Sequence, residues 1–195
     1  TWKSRGLGDV YKRQILWLLR NVNEVKNASL ENDLCFGTID SWILYKLTGN
    51  HVTDVTNASR TLMMDLKTLN WIDKIFDILD IPKESMPEIK PSMFNYGTNE
   101  SVLKNIPITA VLGDQQASLF GQNCLTSGDV KNTYGTGCFA LTNTGEKIIH
   151  SNNGLLSTVA YQKEGDKPQY ALEGSVSIAG AAVQWLRDNL NIINE

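Results

Sequence analysis

The stretch Ile106-Pro107-Ile108-Thr109-Ala110-Val111-Leu112-Gly113-Asp114-Gln115-Gln116 decides the fold class. Residues 106–112 are β-branched or apolar and stop at Gly113, the pattern of a buried strand. Residues 115–121 then open a helix. Asp114 therefore stands at the carboxyl end of a strand and the entrance of a helix, where open α/β sheets collect their ligands. Anionic side chains are favoured at helix amino ends. A carboxylate in that position can accept a proton from a hydroxyl, and the adjacent amides can hold a neighbouring hydroxyl in place. The plainer reading of the same acid is a helix cap, and a glycine beside an acid does not separate the two.

Upstream of this stretch the texture is helical. Ile15, Leu18, Leu19, Val22 and Val25 follow helical spacing and run into a polar tetrapeptide at 26–29. Residues 36–47 read as a second helix, with Thr38 or Asp40 as N-cap and Gly49 at the C-cap position. Residues 53–60, rich in Thr, Asn and Ser, favour turns because those side chains compete for backbone hydrogen bonds. Residues 71–79 read as a short helix stopped before Pro82, and Pro82, Pro87 and Pro91 mark a loop. The first fourteen residues differ from the rest: Lys3, Arg5, Lys12 and Arg13 accompany Gly6 and Gly8 with no apolar periodicity, and residues 1–14 are expected to be foreign to the fold.

Downstream of Gly121 short strands are expected at 130–134, 139–143, 155–161 and 169–173, punctuated by glycines, as at the start of a second domain built on antiparallel strands. Residues 175–191 should close the chain as a helix, with Val176, Ala179, Val183, Leu186 and Leu190 on one face. Two glycine-rich features are candidate phosphate cradles. Tyr134-Gly135-Thr136-Gly137-Cys138 lies between two strands, where glycines leave backbone N–H groups unobstructed and Thr136 adds a hydroxyl. Residues 174–180 lead a helix with small side chains and permit close approach of a nucleotide. An ordinary hairpin turn and a helix packed on a sheet are the alternatives. Neither feature is a Walker motif or a GxGxxG fingerprint.

Composition narrows the partners. The 195 residues carry 18 Lys+Arg against 21 Asp+Glu, a net charge of −3, and are 42% hydrophobic. No basic stripe exists to bind nucleic acid, so a small molecule is the expected partner. No apolar run approaches the roughly 20 residues that span a bilayer, which points to a cytoplasmic chain. Cys35, Cys124 and Cys138 have neither disulfide nor zinc spacing. His51 and His150 read as solvated loop residues, and Trp17, Trp42, Trp71 and Trp185 as core packing on helical apolar faces.

Five blocks taken together resemble the FGGY carbohydrate kinases, within them the branch that phosphorylates glycerol: Phe36-Gly37-Thr38-Ile39-Asp40-Ser41-Trp42, Thr56-Asn57-Ala58-Ser59-Arg60-Thr61, Gly113-Asp114-Gln115-Gln116-Ala117, Asn132-Thr133-Tyr134-Gly135-Thr136-Gly137-Cys138-Phe139 and Asn153-Gly154-Leu155-Leu156. The resemblance implies an α/β fold of ribonuclease-H-like (actin/hexokinase/Hsp70-type) domains. Residues 15–121 would form the end of the first domain and 122–195 the start of the second, as an internal segment of a chain more than twice this length. It further implies transfer of the γ-phosphoryl of ATP to glycerol, with Mg²⁺ as cofactor, in a cytoplasmic homo-oligomer. By that resemblance Asp114 is the general base, Gln115 hydrogen-bonds the polyol, Phe139 packs on its carbon chain, Thr136 contacts the β,γ-phosphate region, and Gly180 and Gln184 lie on the nucleotide. No residue of this segment is assigned to the metal.

The departures are specific. Gln14 stands where the family signature has Lys, and Tyr11 is not at the spacing of the family's glycerol-contacting tyrosine. The amino-terminal phosphate loop with its magnesium-associated acid, the Arg-Glu pair that grips glycerol and the later adenosine loop are absent, and residues 99–106 lack the Gly-Arg pattern associated with fructose 1,6-bisphosphate. The chain alone is accordingly expected to be inactive. A kinase for another polyol or sugar, and a truncated non-catalytic nucleotide-binding protein, remain alternatives.

Overall fold

The computed structural model describes residues 8–99 and 104–193, which divide into two compact units. The first comprises Thr1–Leu112 with Tyr161–Lys167, and the second Gly113–Ala160 with Pro168–Glu195.

In the first unit, α1 (Gly8–Asn21) and α2 (Asn23–Leu30) are followed by α3 (Ile39–Thr48), β1 (Val52–Asp54), α4 (Val55–Arg60), α5 (Asp73–Leu79), a 3₁₀ turn at Lys83–Ser85, β2 (Glu88–Lys90), β3 (Met93–Asn99) and β4 (Ile106–Ala110). β1 and β2 pair in parallel, β3 and β4 antiparallel with a register shift between Met93 and Gly97. Residues 161–167 belong here because Met93 N–H donates to the Gln162 carbonyl (2.9 Å) and Glu164 N–H to the Met93 carbonyl (3.0 Å).

Helix α1 begins seven residues before its apolar stripe does. Residues 1–7 lie outside the described residues, but 8–14 are helical, since Lys12, Arg13 and Gln14 are good helix formers and continue the turn anchored by buried Ile15. Helix α3 is bounded as its punctuation suggests: Thr38 is extended at the N-cap and Gly49 ends the helix at φ 76°, where a side chain would be strained. The 53–60 segment, expected as turns, is instead β1 running into α4. Its polar side chains bond within the helix rather than against it: the Asp54 carboxylate accepts from Thr56 N–H (3.0 Å) and Asn57 N–H (2.9 Å), and Ser59 Oγ donates to the Thr56 carbonyl (2.8 Å).

Two apolar clusters hold this unit. One gathers Ile15, Met63, Phe76 and Ile81, with Trp71 edge-on to Phe76 and its indole N–H donating to the Pro87 carbonyl (2.8 Å). The other joins Leu44, Val52 and Tyr96, with Phe94 and Ile108 against them. Of the four tryptophans read as core, only Trp71 fits that reading; Trp17, Trp42 and Trp185 are each more than half exposed, and Trp42 stacks on Tyr45 under Lys46. His51 is half-buried rather than free in solvent, with its Nε2 2.7 Å from the Phe36 carbonyl. Strand β4, expected to be buried, is exposed at four of its five positions, because β3 is its one strand partner among the described residues.

Tyr96 gives this unit a pH signature. It is 2% exposed, its hydroxyl donates to the Pro91 carbonyl (2.7 Å), and burial, with the charges of Asp54 and Asp40, holds its pKa well above the ordinary 10. Above pH 10 the unfolded chain loses a phenolic proton that the folded chain keeps, so stability falls as pH rises past that point. Denaturant midpoints measured from pH 8 to 11 are expected to drop above pH 10. Tyr96→Phe should remove that part of the slope and cost about 1 kcal/mol at neutral pH for the lost hydrogen bond.

The second unit contains α6 (Asp114–Gly121), β5 (Val130–Tyr134), β6 (Cys138–Gly145), β7 (Leu156–Tyr161), β8 (Gln169–Val176) and α7 (Gly180–Asp188). The strands form one sheet in the order β5-β6-β8-β7, with β5/β6 and β6/β8 antiparallel, and α6 lies against β5 and β6. All four expected strands are present. The closing helix starts at 180 rather than 175, because β8 runs on to Val176 through its pairing with Cys138.

Candidate functional site

Both groups of singled-out residues fall within the second unit, on α6, the β5–β6 hairpin and α7. Asp114 is the first residue of α6 and is exposed; its Oδ2 accepts from Gln115 Nε2 at 3.2 Å. Gln115 is half-buried and turns its other amide atom to the sheet, where Oε1 accepts from Lys131 Nζ at 2.5 Å. The third amide, Gln116, is buried and faces Thr158 Oγ1 across 3.4 Å, so it belongs to the packing of α6. The helix entry thus divides its polar side chains, Asp114 outward and Gln116 inward, with Gln115 between them.

The register of the sheet explains what lies beneath. Lys131 pairs with Leu141, and Leu141 with Glu173, so these three share one row and one face; all three are buried. The next row on that face holds Thr133, Phe139 and Ser175. Lys131 Nζ also donates to Thr133 Oγ1 at 2.8 Å. Burial lowers the Lys131 pKa, and the negative charges of Glu173 and Asp114 oppose that shift. Sequence reasoning missed Lys131 and Glu173. The signal was present in the alternation of β5, whose inward positions are Lys131 and Thr133 while Val130 and Tyr134 point out, Tyr134 with 78% of its surface exposed. A strand that turns its polar residues inward places them where polar partners await them.

The two glycine-rich features meet each other. In the turn, Gly135 N–H donates to the Gly137 carbonyl (2.8 Å). The Thr136 carbonyl accepts from Ala179 N–H (2.8 Å) and Ala181 N–H (3.3 Å), and the Gly135 carbonyl from Gly180 N–H (3.0 Å). A Cβ on Gly180 would stand 2.5 Å from the Gly135 carbonyl oxygen, and one on Gly137 2.5 Å from that of Val176. Glycine is required at both positions by backbone-to-backbone contact, not by unusual φ. The clasp exposes Thr136 at the tip and Gln184 one turn into α7, where its amide hydrogen-bonds Asp188. Phe139 is half-buried on the sheet face that carries Lys131. Asp114 and Gln115 therefore form one cluster with Lys131, and Thr136, Gly180 and Gln184 another.

Gly180→Ala tests the clasp. The added methyl forces the turn and helix apart, at the roughly 1–3 kcal/mol typical of overpacking. The expected result is a lowered melting temperature, measured by calorimetry.

Among the described residues no group of three or more His, Cys, Asp or Glu side chains converges as metal ligands. None of the described helices is long and apolar enough to cross a membrane.

Residues 11–121 match the FGGY family of carbohydrate kinases, N-terminal domain, and 130–195 match its C-terminal domain; the chain belongs to this family. Among curated relatives it is 53% identical over 188 residues to the glycerol kinase of Leifsonia xyli, and 54% identical over 186 residues to that of Brucella anthropi. These alignments cover 93% and 92% of this chain but 37% of either relative, so the chain spans little more than a third of their length. Among solved structures it superposes on Plasmodium falciparum glycerol kinase with ADP at a TM-score of 0.86 and 45% identity, covering 92% of this chain and 37% of the other. The gluconate kinase of Lactobacillus acidophilus matches at a TM-score of 0.76 and 26% identity. The fold is accordingly the α/β, actin/hexokinase-like architecture that the motifs suggested.

Proposed function

We propose that this chain is the middle segment of an ATP-dependent glycerol kinase, contributing the general base and part of the nucleotide wall. The observation that carries the reading is the exposed Asp114 carboxylate, hydrogen-bonded to an amide that is itself held from the sheet, in a chain more than 50% identical to relatives named glycerol kinase. Asp114 takes the proton from the terminal hydroxyl of glycerol as its oxygen forms a bond to Pγ, while the bond from Pγ to the β,γ-bridging oxygen breaks. The products are sn-glycerol 3-phosphate and ADP. Gln115 holds an adjacent hydroxyl, and Phe139 presents an apolar surface to the carbon chain. Thr136, Gly180 and Gln184 receive the nucleotide. Phosphoryl transfer asks the protein for positioning and charge stabilisation rather than covalent chemistry.

A Mg²⁺ ion accompanying the nucleotide would supply charge neutralisation to the phosphates during transfer, and no residue of this segment is assigned to hold it. The domain boundary is placed between residues 121 and 122, and the whole protein is taken to be a cytoplasmic homo-oligomer without nucleic-acid partners.

The test is glycerol-dependent formation of ADP by the whole protein that carries this segment, run beside gluconate and xylulose. Glycerol should be preferred, and the 195-residue chain alone should turn over nothing. Preference for a larger sugar acid or ketose would move the reading to another branch of the family, and turnover by the isolated chain would overturn the division of labour proposed here.

A further inference from the structure

We propose that Lys131 is a positioning residue that fixes the polarity of the Gln115 side-chain amide, so that its NH₂ group faces Asp114 and the acceptor hydroxyl. The inference rests on the function proposed for Asp114 and deepens it.

A glutamine amide has two ends of nearly equal size, one an acceptor and the other a double donor, and its neighbours decide which end points where. An ammonium group is donor-only. Lys131 Nζ lies 2.5 Å from one end of the Gln115 amide, and only the carbonyl oxygen can accept a hydrogen bond from it. The NH₂ end is thereby turned to Asp114 Oδ2 at 3.2 Å. That contact uses one of its two hydrogens and leaves the second for an oxygen beside the carboxylate. A hydroxyl that accepts this hydrogen directs its lone pair at the amide and keeps its own proton free, which suits a polyol acceptor next to a base. The opposite orientation would set the carbonyl oxygen against the Asp114 carboxylate and repel both acceptors.

The lysine itself is buried and held by two hydrogen bonds. It is 2% exposed, its second hydrogen bond goes to Thr133 Oγ1 at 2.8 Å, and buried Glu173 lies in the same row of the sheet with Leu141 between them. A buried cation with a nearby anion and fixed partners is a rigid support for the amide that it holds. The contacts of Lys131 Nζ are to Gln115 and Thr133, and it acts on the acceptor through Gln115.

The experiment is a double-mutant cycle on the whole protein, with Lys131→Met and Gln115→Ala made singly and together. Each single variant should raise the glycerol KM about tenfold to a hundredfold, the range of a hydrogen bond to a charged group, and leave the ATP KM within about twofold. The double variant should be no worse than Gln115→Ala, because without the amide the lysine has nothing to orient. Lys131→Arg, which retains a donor-only cation, should recover part of the glycerol KM. Multiplying single effects, or a Lys131→Met protein that is less stable but has an unchanged glycerol KM, overturns the proposal. If Lys131→Met does not fold because Glu173 keeps its buried charge, the cycle is run on the Glu173→Gln background, where the substituted side chain meets no buried anion. A protein that phosphorylates a polyol other than glycerol defeats the glycerol reading alone, and the same cycle on the KM of that polyol judges Lys131. With no turnover of any acceptor, the cycle is read in melting temperatures, where losses that simply add overturn the contact.

Discussion

Asp114→Asn is expected to lower kcat for glycerol phosphorylation by about 10²–10⁴ in the whole protein, the usual worth of a positioned general base. The amide is nearly isosteric and can still accept from Gln115 Nε2, so glycerol and ATP should bind with KM values close to those of the parent. What is lost is the proton acceptor at the moment when the hydroxyl oxygen bonds to phosphorus. A drop in kcat with little change in KM is the signature of an interaction made in the transition state only. Near-normal kcat in steady-state assays would remove Asp114 from this role and leave it an exposed acid in the first turn of α6, whose N-cap is Gly113. This split also distinguishes Asp114 from its neighbour, since Gln115 is expected to act on the acceptor KM.

Asp54→Ala should produce the largest loss of stability, about 3–5 kcal/mol, read as a fall in the denaturant midpoint of the chain. Asp54 is fully buried and its two oxygens accept from five donors: Thr56 N–H, Asn57 N–H, Thr56 Oγ1, Asn57 Nδ2 and Ser92 Oγ. Burial raises its pKa, against the pull of those hydrogen bonds. The carboxylate caps α4 and also ties β1 to Ser92, just before β3, so its removal strips a helix end and a long-range link together. Asp54→Asn, which keeps one acceptor, should lose less than Asp54→Ala. Equal losses from both would mean that the site acts through volume rather than hydrogen bonding.

Asp54 marks where sequence reading stopped. The run 53–60 looks like a turn because its Thr, Asn and Ser residues favour local hydrogen bonds over a helix. They do make local bonds, but α4 forms because the acceptor that organises its first turn is Asp54, and that acid is held from outside by a serine 38 residues away. The exposed tryptophans teach a related lesson. Trp17, Trp42 and Trp185 have the spacing of core residues, yet burial depends on what packs against a face, and the described residues bring little to those faces. Strand β4 is the same case in sheet form.

At the site, the sequence by itself determined the positions at which local backbone and side-chain chemistry suffice. Asp114 opens α6 directly after its N-cap Gly113, Gly49 ends α3 in the left-handed region, and the β5–β6 hairpin turns at Gly135-Thr136-Gly137. Each of these choices is made within a few residues of chain. Tertiary structure alone decided that Gly180 closes on the Gly135 carbonyl, 45 residues earlier, and that Lys131 rather than Val130 or Tyr134 faces inward beneath Gln115. A strand presents two faces of opposite parity, and only the element that covers one of them selects which is buried. Here α6 makes that selection, carrying an amide oxygen that a buried ammonium group can meet.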